Sequence, residues 1–269
     1  MILAEILGAQ STHNELNSAL AGAATLIAGA FTLSTFDRWQ RRRQPHELAW
    51  TIAMGLFAIG SSALWWAESS GWNILAFRIF FLAGAVLNVA WLALGTVYLL
   101  IGRRAGNITR SWLVWLSGFA TGVVLLAPTK TNVVAHEFPT GHNIFGAAPR
   151  ILAAVGSGVP ALFIIGGALW SAWRVLRRQN PAASKNITRT VISPKRLAIG
   201  NVLIAVGTLV LSASGSLAGR LGQDRAFAVT LLCGVSILFS GFLVASNSTL
   251  NASSAIKRLH PELLRAVTQ

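Results

Sequence analysis

The side chains best suited to chemistry in this 269-residue chain lie in one stretch, His136-Glu137-Phe138-Pro139-Thr140-Gly141-His142. Two imidazoles and a carboxylate make a zinc-type donor set. In the helical zinc-protease motif H-E-x-x-H, both histidines share one face, one turn apart. Here the second histidine comes six residues after the first, and Pro139 and Gly141 break a helix. His136, Glu137 and His142 therefore allow a loop metal site, or an ordinary polar loop with no ligand. Serine is plentiful, but no G-x-S-x-G occurs with a base beside it, and no phosphate-binding glycine loop is present. An enzyme built on the His136–His142 loop ranks third among the functional readings.

A second constellation is the pair Glu68 and Arg78, one at each side of a short loop. At a membrane surface such a pair forms an ion pair across the loop, or two separate interface-level charges. A third set is polar or aromatic within apolar runs: Asn88, Trp91, Trp170 and Asn201. An amide in hydrocarbon needs a partner, and a bond to a neighbouring helix is the usual answer, worth on the order of 1 kcal/mol. The alternative for the two amides is a polar cavity; Trp91 and Trp170 pack between helices or line an apolar cavity, and a cavity reading would make these four residues ligand contacts. The single cysteine, Cys233, forms no C-x-x-C or zinc pattern and reads as a small core residue.

The elements that must hold these residues follow from composition. Only 11% of the chain is charged, 54% is apolar, and the mean hydropathy is +0.59. Soluble domains carry about 25% charged residues, so a soluble globular enzyme and a disordered chain are both excluded. Seven apolar runs are readable, near 17–36, 48–67, 75–101, 111–128, 150–173, 197–215 and 226–246. About 20 helical residues at 1.5 Å rise cross the ~30 Å hydrocarbon layer. The fold class expected is all-α, a polytopic bundle of seven transmembrane helices.

Charge sets the orientation. Alternate loops and the C-terminal tail hold seventeen of the 22 Lys and Arg residues; the other side holds Arg78, Lys130, Arg150, Arg220 and Arg225. Cytoplasmic loops are the basic ones, so the N-terminus is expected outside and the C-terminus inside. The formal charge of +14 is thereby absorbed by topology, and nucleic acid is not implied as a partner. No basic segment precedes the first apolar run, so that run is expected to stay as an anchor rather than be cleaved. The division is an exported tail at 1–16, a transmembrane domain at 17–246 and a cytoplasmic amphipathic tail at 247–269. Residues 1–9 fit a short interfacial helix. Ile256, Leu259, Leu263, Leu264 and Val267 recur at helical spacing among basic residues, which fits a helix on the anionic inner leaflet, or a solvated tail interrupted by Pro261.

Two halves of the chain look alike. Arg42-Arg43-Gln44-Pro45 ends the first run, and Arg177-Arg178-Gln179-Asn180-Pro181 ends the fifth. Ala76-Phe77 with Ala83-Gly84 opens the third, and Ala226-Phe227 with Cys233-Gly234 opens the seventh. This makes a 3+1+3 arrangement of parallel repeats, or a coincidence of a small apolar alphabet. Sugar-transporting 3+1+3 proteins share the topology but rely on prolines in their repeat helices, and only Pro160 lies deep in a run here. A retinal protein needs a buried lysine, and no run contains one. The near-absence of ionisable residues at mid-depth also disfavours proton coupling.

Ten tryptophans are high for this length. Trp65, Trp66, Trp72, Trp112 and Trp115 fall near run ends and fit an aromatic belt at the headgroups. Gly118 with Gly122 and Gly215 with Gly219 form G-x-x-x-G, a spacing that permits close helix contact inside the bundle or with a partner. The basic loop 174–196 reads as flexible and as a partner contact.

The segments HELAW, ALWWAESSGW and FRIFFLAGAVLNVAWLALGTVYLL, with GGALWSAWR, GNVLIAVGTLV and LFSGFL later, resemble a group of uncharacterised bacterial seven-span integral membrane proteins. The resemblance implies a multi-pass protein of a bacterial cytoplasmic (inner) membrane and carries over no functional residue. The leading functional expectation is a non-enzymatic membrane protein without a cofactor, in contact with the lipid bilayer, that binds or moves a small apolar or uncharged ligand. The alternative is an accessory subunit of a larger membrane complex, engaged through a Gly-rich flank and loop 174–196.

Overall fold

A computed structural model describes residues 2–135, 137–177, 189–191, 194–221, 224–247 and 249–251, with side chains described at 15–135, 137–173, 196, 198–213 and 227–244. Nearly all of these residues are helical. The chain runs through α1 (Ile2–Arg42), α2 (Pro45–Ser70), α3 (Ile74–Phe80), a π-helical segment Phe81–Leu87, and α4 (Asn88–Leu100). Next come α5 (Arg103–Leu126), the short α6 (Gly141–Ile144), α7 (Ala147–Ala153), a second π-helical segment Ala154–Gly158, and α8 (Val159–Arg177). Then follow β1 (Arg189–Val191), α9 (Pro194–Leu221), α10 (Asp224–Asn247) and β2 (Thr249–Asn251).

Six helical segments are long and apolar enough to cross a membrane: Glu15–Arg42, Pro45–Ser70, Ile74–Leu100, Arg103–Leu126, Ala147–Trp173 and Phe227–Val244. A further apolar stretch, Ala198–Ala213 within α9, is shorter. The expected all-α class holds apart from one ribbon, in which β1 and β2 pair antiparallel with Thr190 opposite Leu250. That ribbon joins the basic loop to the start of the tail. The proposed tail helix near 256–267 lies outside the described residues. Residues 2–9 do not form a separate interfacial helix, because the backbone of α1 is continuous from Ile2 to Arg42.

Sequence chemistry sets the helix ends. Pro45 sits in the first turn of α2, where its missing N–H costs nothing. Gly71 (φ 92°) closes α2, and Gly102 (φ 112°) separates α4 from α5, both in backbone regions that only glycine enters freely. Asn73 caps α3, its side chain accepting from the Ala76 N–H at 2.9 Å.

Six helical units form a closed ring. α1 packs on α2, α2 on α3–α4, α4 on α8, α8 on α9, α9 on α10, and α10 back on α1. α5 stands outside the ring and packs mainly on α4. Small residues permit these approaches. Ala21, Ala24 and Ala28 form a fully buried stripe on α1. A Cβ on Gly60 would lie 3.1 Å from the Gly84 backbone, and one on Gly207 would lie 2.7 Å from the Leu238 nitrogen. The two π-helical segments meet each other, with Gly156 against the Val86 carbonyl. Such segments arise as local insertions in α-helices.

The ring is filled by aromatic and branched side chains rather than left hollow along α1, α2, α4 and α10. Phe31 stacks on Phe239 at a centroid distance of 4.6 Å and meets Phe242 at a tilt at 4.8 Å. Trp50 meets Phe242 edge-on at 5.2 Å. One end of the bundle is closed by the segment 127–146, which folds back through Lys130 N to Ile144 O (2.9 Å) and Trp72 N to Ala135 O (2.9 Å). It delivers Phe138 and Phe145 onto Trp72, Phe77, Phe80, Phe81 and Phe227. This is termed the loop end below, and the opposite end, with Arg38 to Arg43 and Arg103, the basic end.

Candidate functional site

The four residues singled out within the apolar runs have different surroundings. Asn88 is buried at the junction of the first π-helical segment with α4, and its Oδ1 accepts no hydrogen bond from the described residues. Trp91, one turn on, donates from Nε1 to Ser117 Oγ at 3.2 Å and so ties α4 to α5. Asn201 donates from Nδ2 to Ser171 Oγ at 2.9 Å and ties α9 to α8. Trp170 is exposed on the outer face of α8, its ring tilted against Trp173 at 5.2 Å. Trp91 and Asn201 thus make interhelical bonds, and Trp170 faces away from the bundle.

Glu68 and Arg78 are taken up by different partners. Trp72 Nε1 donates to Glu68 Oε1 at 3.2 Å. Arg78 donates from Nη2 to the Ala127 carbonyl at 2.7 Å and from Nη1 to the Leu125 carbonyl. Those carbonyls are orphans of the last turn of α5, and a guanidinium there satisfies them and opposes the negative end of the helix dipole. Trp72 also departs from the expected belt. It is 5% exposed because Phe138 covers its ring at 5.2 Å, whereas Trp65, Trp66, Trp112 and Trp115 face outward as expected.

In the His136–His142 loop, His136 lies outside the described residues. His142 Nδ1 lies 3.3 Å from Asn143 Oδ1, and the Glu137 N–H donates to the Val134 carbonyl at 3.2 Å. No group of three His, Cys, Asp or Glu residues converges among the described residues. What the loop visibly supplies is Phe138. Cys233, expected in the core, is exposed on the outward face of α10.

A cluster the sequence reading passed over lies at the basic end. Arg38, counted there as a loop charge, approaches Glu47 (Nε to Oε2, 4.0 Å), and its guanidinium lies 3.9 Å from the centroid of the Phe242 ring. His46 Nε2 lies 3.7 Å from Glu47 Oε1, and the His46 ring meets Trp50 edge-on at 5.4 Å. Glu47 is 3% exposed, so a carboxylate, a guanidinium and an imidazole share a nearly dry site joining α1, α2 and α10. The available signal was position: Arg38 sits one turn inside the Arg41–Arg43 cluster, and His46-Glu47 directly follows the proline that starts α2.

A concave feature lies elsewhere, on the outer face between α5 and α7 at the loop end. It is a groove of about 620 Å³ lined by Gly118, Phe119, Gly122, Leu126, Pro128 and Pro149 among others. The walls are apolar. Added Cβ atoms on Gly118 and Gly122 would meet nothing within 4 Å, so this G-x-x-x-G makes no helix contact among the described residues. The groove exists because α5 has no ring neighbour on that flank and because two glycines remove the side chains that would fill it. Gly215 and Gly219 have no described side-chain surroundings. No family model matches this chain, and no curated protein matches it.

Proposed function

We propose that this chain is a seven-span protein of a bacterial cytoplasmic membrane, with the N-terminus outside and the C-terminus inside. In this reading it is non-enzymatic and binds a small apolar or uncharged ligand that enters from the bilayer. The observation that carries the reading is the groove between α5 and α7. Its volume falls within the roughly 300–1,000 Å³ of small-molecule sites, and apolar walls suit an uncharged guest. The aromatic filling of the ring argues for a site on the flank rather than a path along the axis.

The span count rests on α9, whose 28 helical residues contain the apolar stretch Ala198–Ala213. Orientation rests on the seventeen-to-five division of Lys and Arg. One packing correspondence supports the 3+1+3 repeat: Phe77 and Phe227 both end in the loop-end aromatic cluster.

The test is native mass spectrometry of protein extracted from its own membrane in mild detergent, beside Gly118→Leu. A small molecule at fixed stoichiometry, lost from the variant, supports ligand binding. The open Gly118–Gly122 face also favours a second reading, docking of a partner helix as in an accessory subunit. A retained protein partner shed by Gly118→Leu would establish that reading instead. Identical bare spectra for both proteins would refute both.

A further inference from the structure

Asn88 lies midway along the apolar span Ile74–Leu100 and is 7% exposed. Its Oδ1 is enclosed and accepts no hydrogen bond from the described residues. A buried acceptor without a partner forfeits its hydration, a cost that a leucine of similar size would avoid. The backbone beside it has a matching irregularity. The Asn88 N–H bonds to the Ala83 carbonyl, five residues back, instead of the Gly84 carbonyl that an α-helix would use. The π-helical segment thereby releases the Gly84 carbonyl from that bond, one turn before Asn88. Helical side chains lean toward the N-terminus, so the Asn88 amide leans over the turn that holds Gly84. That turn has room, because a Cβ on Gly84 would meet nothing within 4 Å. The same segment packs on the second π-helical segment, and such segments recur at functional sites.

We propose that Asn88 and the Gly84 carbonyl form a mid-membrane binding site for an uncharged O–H group. Two neutral oxygens require a donor, and an O–H supplies it. The Asn88 Nδ2 can donate back to the same oxygen, so one hydroxyl satisfies both halves of the amide. Two neutral oxygens fall far short of the six or more that a hard cation takes. The chain carries no charge between Arg78 and Arg103 to pair with an ion. The O–H belongs to a trapped water or to the hydroxyl of an uncharged guest, and the bonds are the same in either case. Ordered water is a known way to satisfy backbone groups freed inside a membrane helix. The site is separate from the flank groove, none of whose lining residues belongs to the span Ile74–Leu100.

The experiment uses full-length protein with ¹⁵N in its asparagine amides, in deuterated detergent, and reads magnetisation transfer from water by NMR. The Asn88 amide signal is identified by its loss in Asn88→Leu. Native mass spectrometry of the same proteins, extracted from their own membrane, reads any bound guest. Gly84→Leu fills the space beside an intact Asn88, and its Cβ has room. Transfer from water to the Asn88 amide, abolished in Gly84→Leu while the Asn88 signal remains, would establish water as the occupant. A neutral hydroxylated molecule present in wild type, and absent from both Asn88→Leu and Gly84→Leu, would establish a guest. Asn88→Leu alone decides the guest arm if Gly84→Leu does not fold. Water transfer that survives Gly84→Leu would overturn the placement. Neither water transfer nor a guest in wild type would overturn the proposal. A guest kept by both variants but lost from Gly118→Leu would belong to the flank groove; without water transfer at Asn88, that result would overturn this proposal and leave the flank-groove reading standing.

Discussion

The closest approach of a glycine to another helix's main chain among the described residues yields the sharpest prediction, Gly207→Ala. A Cβ at Gly207 would sit 2.7 Å from the Leu238 nitrogen and 2.9 Å from its Cα and Cβ. Two of these atoms are main chain, so no rotamer change relieves the clash and α10 must move away from α9. Overpacking of this kind costs about 1–3 kcal/mol, and the rigid obstacle places it near the upper end. Replacing glycine by alanine inside a helix returns about 1 kcal/mol. The net expectation is a loss of about 2 kcal/mol. Gly166→Ala in α8 is the internal control, because nothing lies within 4 Å of its Cβ position and only the helix-propensity gain remains. The two variants should therefore differ by about 3 kcal/mol. Unfolding by titration with SDS in mixed micelles, followed by tryptophan fluorescence, measures both directly. If Gly207→Ala proved as stable as Gly166→Ala, the α9–α10 approach described here would be wrong.

Three further outcomes are expected. Arg38→Met should destabilise by about 3 kcal/mol, because it leaves Glu47 charged in a nearly dry site, and Arg38→Met/Glu47→Gln should recover most of that loss. A double variant no better than the single one, in the same SDS titration, would contradict a coupled pair. Arg78→Met should cost about 2 kcal/mol through the uncapped α5 carbonyls, with Arg78→Lys intermediate because one ammonium does not reproduce the guanidinium fork; hydrogen exchange confined to the end of α5 would report the same change locally. In a Cys233→Ser background, Lys130→Cys should react with an impermeant maleimide on intact cells and Arg104→Cys only after permeabilisation, and the reverse pattern would invert the proposed orientation.

The helices were legible because a long apolar run has one solution in hydrocarbon, where every backbone group must be bonded internally. Their ends were less so. α1 begins at Ile2 rather than near residue 17, since Gln10 to Asn14 are polar without being helix breakers. The π-helical segments had no signal at all, because an i→i+5 turn answers to packing between two helices, here Gly156 on the Val86 carbonyl. The same logic separates site residues that were found from those that were missed. Asn88 drew notice because an amide is conspicuous in an apolar run. Arg38 and Glu47 did not, because charges at a run's end normally face water, and only the Phe242 ring on α10, two hundred residues away, reveals that they turn inward. Phe138 was hidden behind the more chemically suggestive histidines beside it.

The position of α5 follows from the direction of its neighbours. α3–α4 and α7–α8 pack on each other, and both run from the loop end to the basic end. Two parallel neighbours cannot be joined by a short turn; the chain must first return along the whole length of the bundle. α5 is that return. The ring is closed by the other six units, so the returning helix has no place in it and keeps an open flank. Large side chains on that flank, such as Trp112 and Trp115, face outward, while the glycines at 118 and 122 leave the recess next to α7. A helix needed only for reversal could fill that recess with leucine at no cost to the ring. Glycine at both positions, each about 1 kcal/mol poorer in a helix than alanine, keeps the recess open for the guest proposed above.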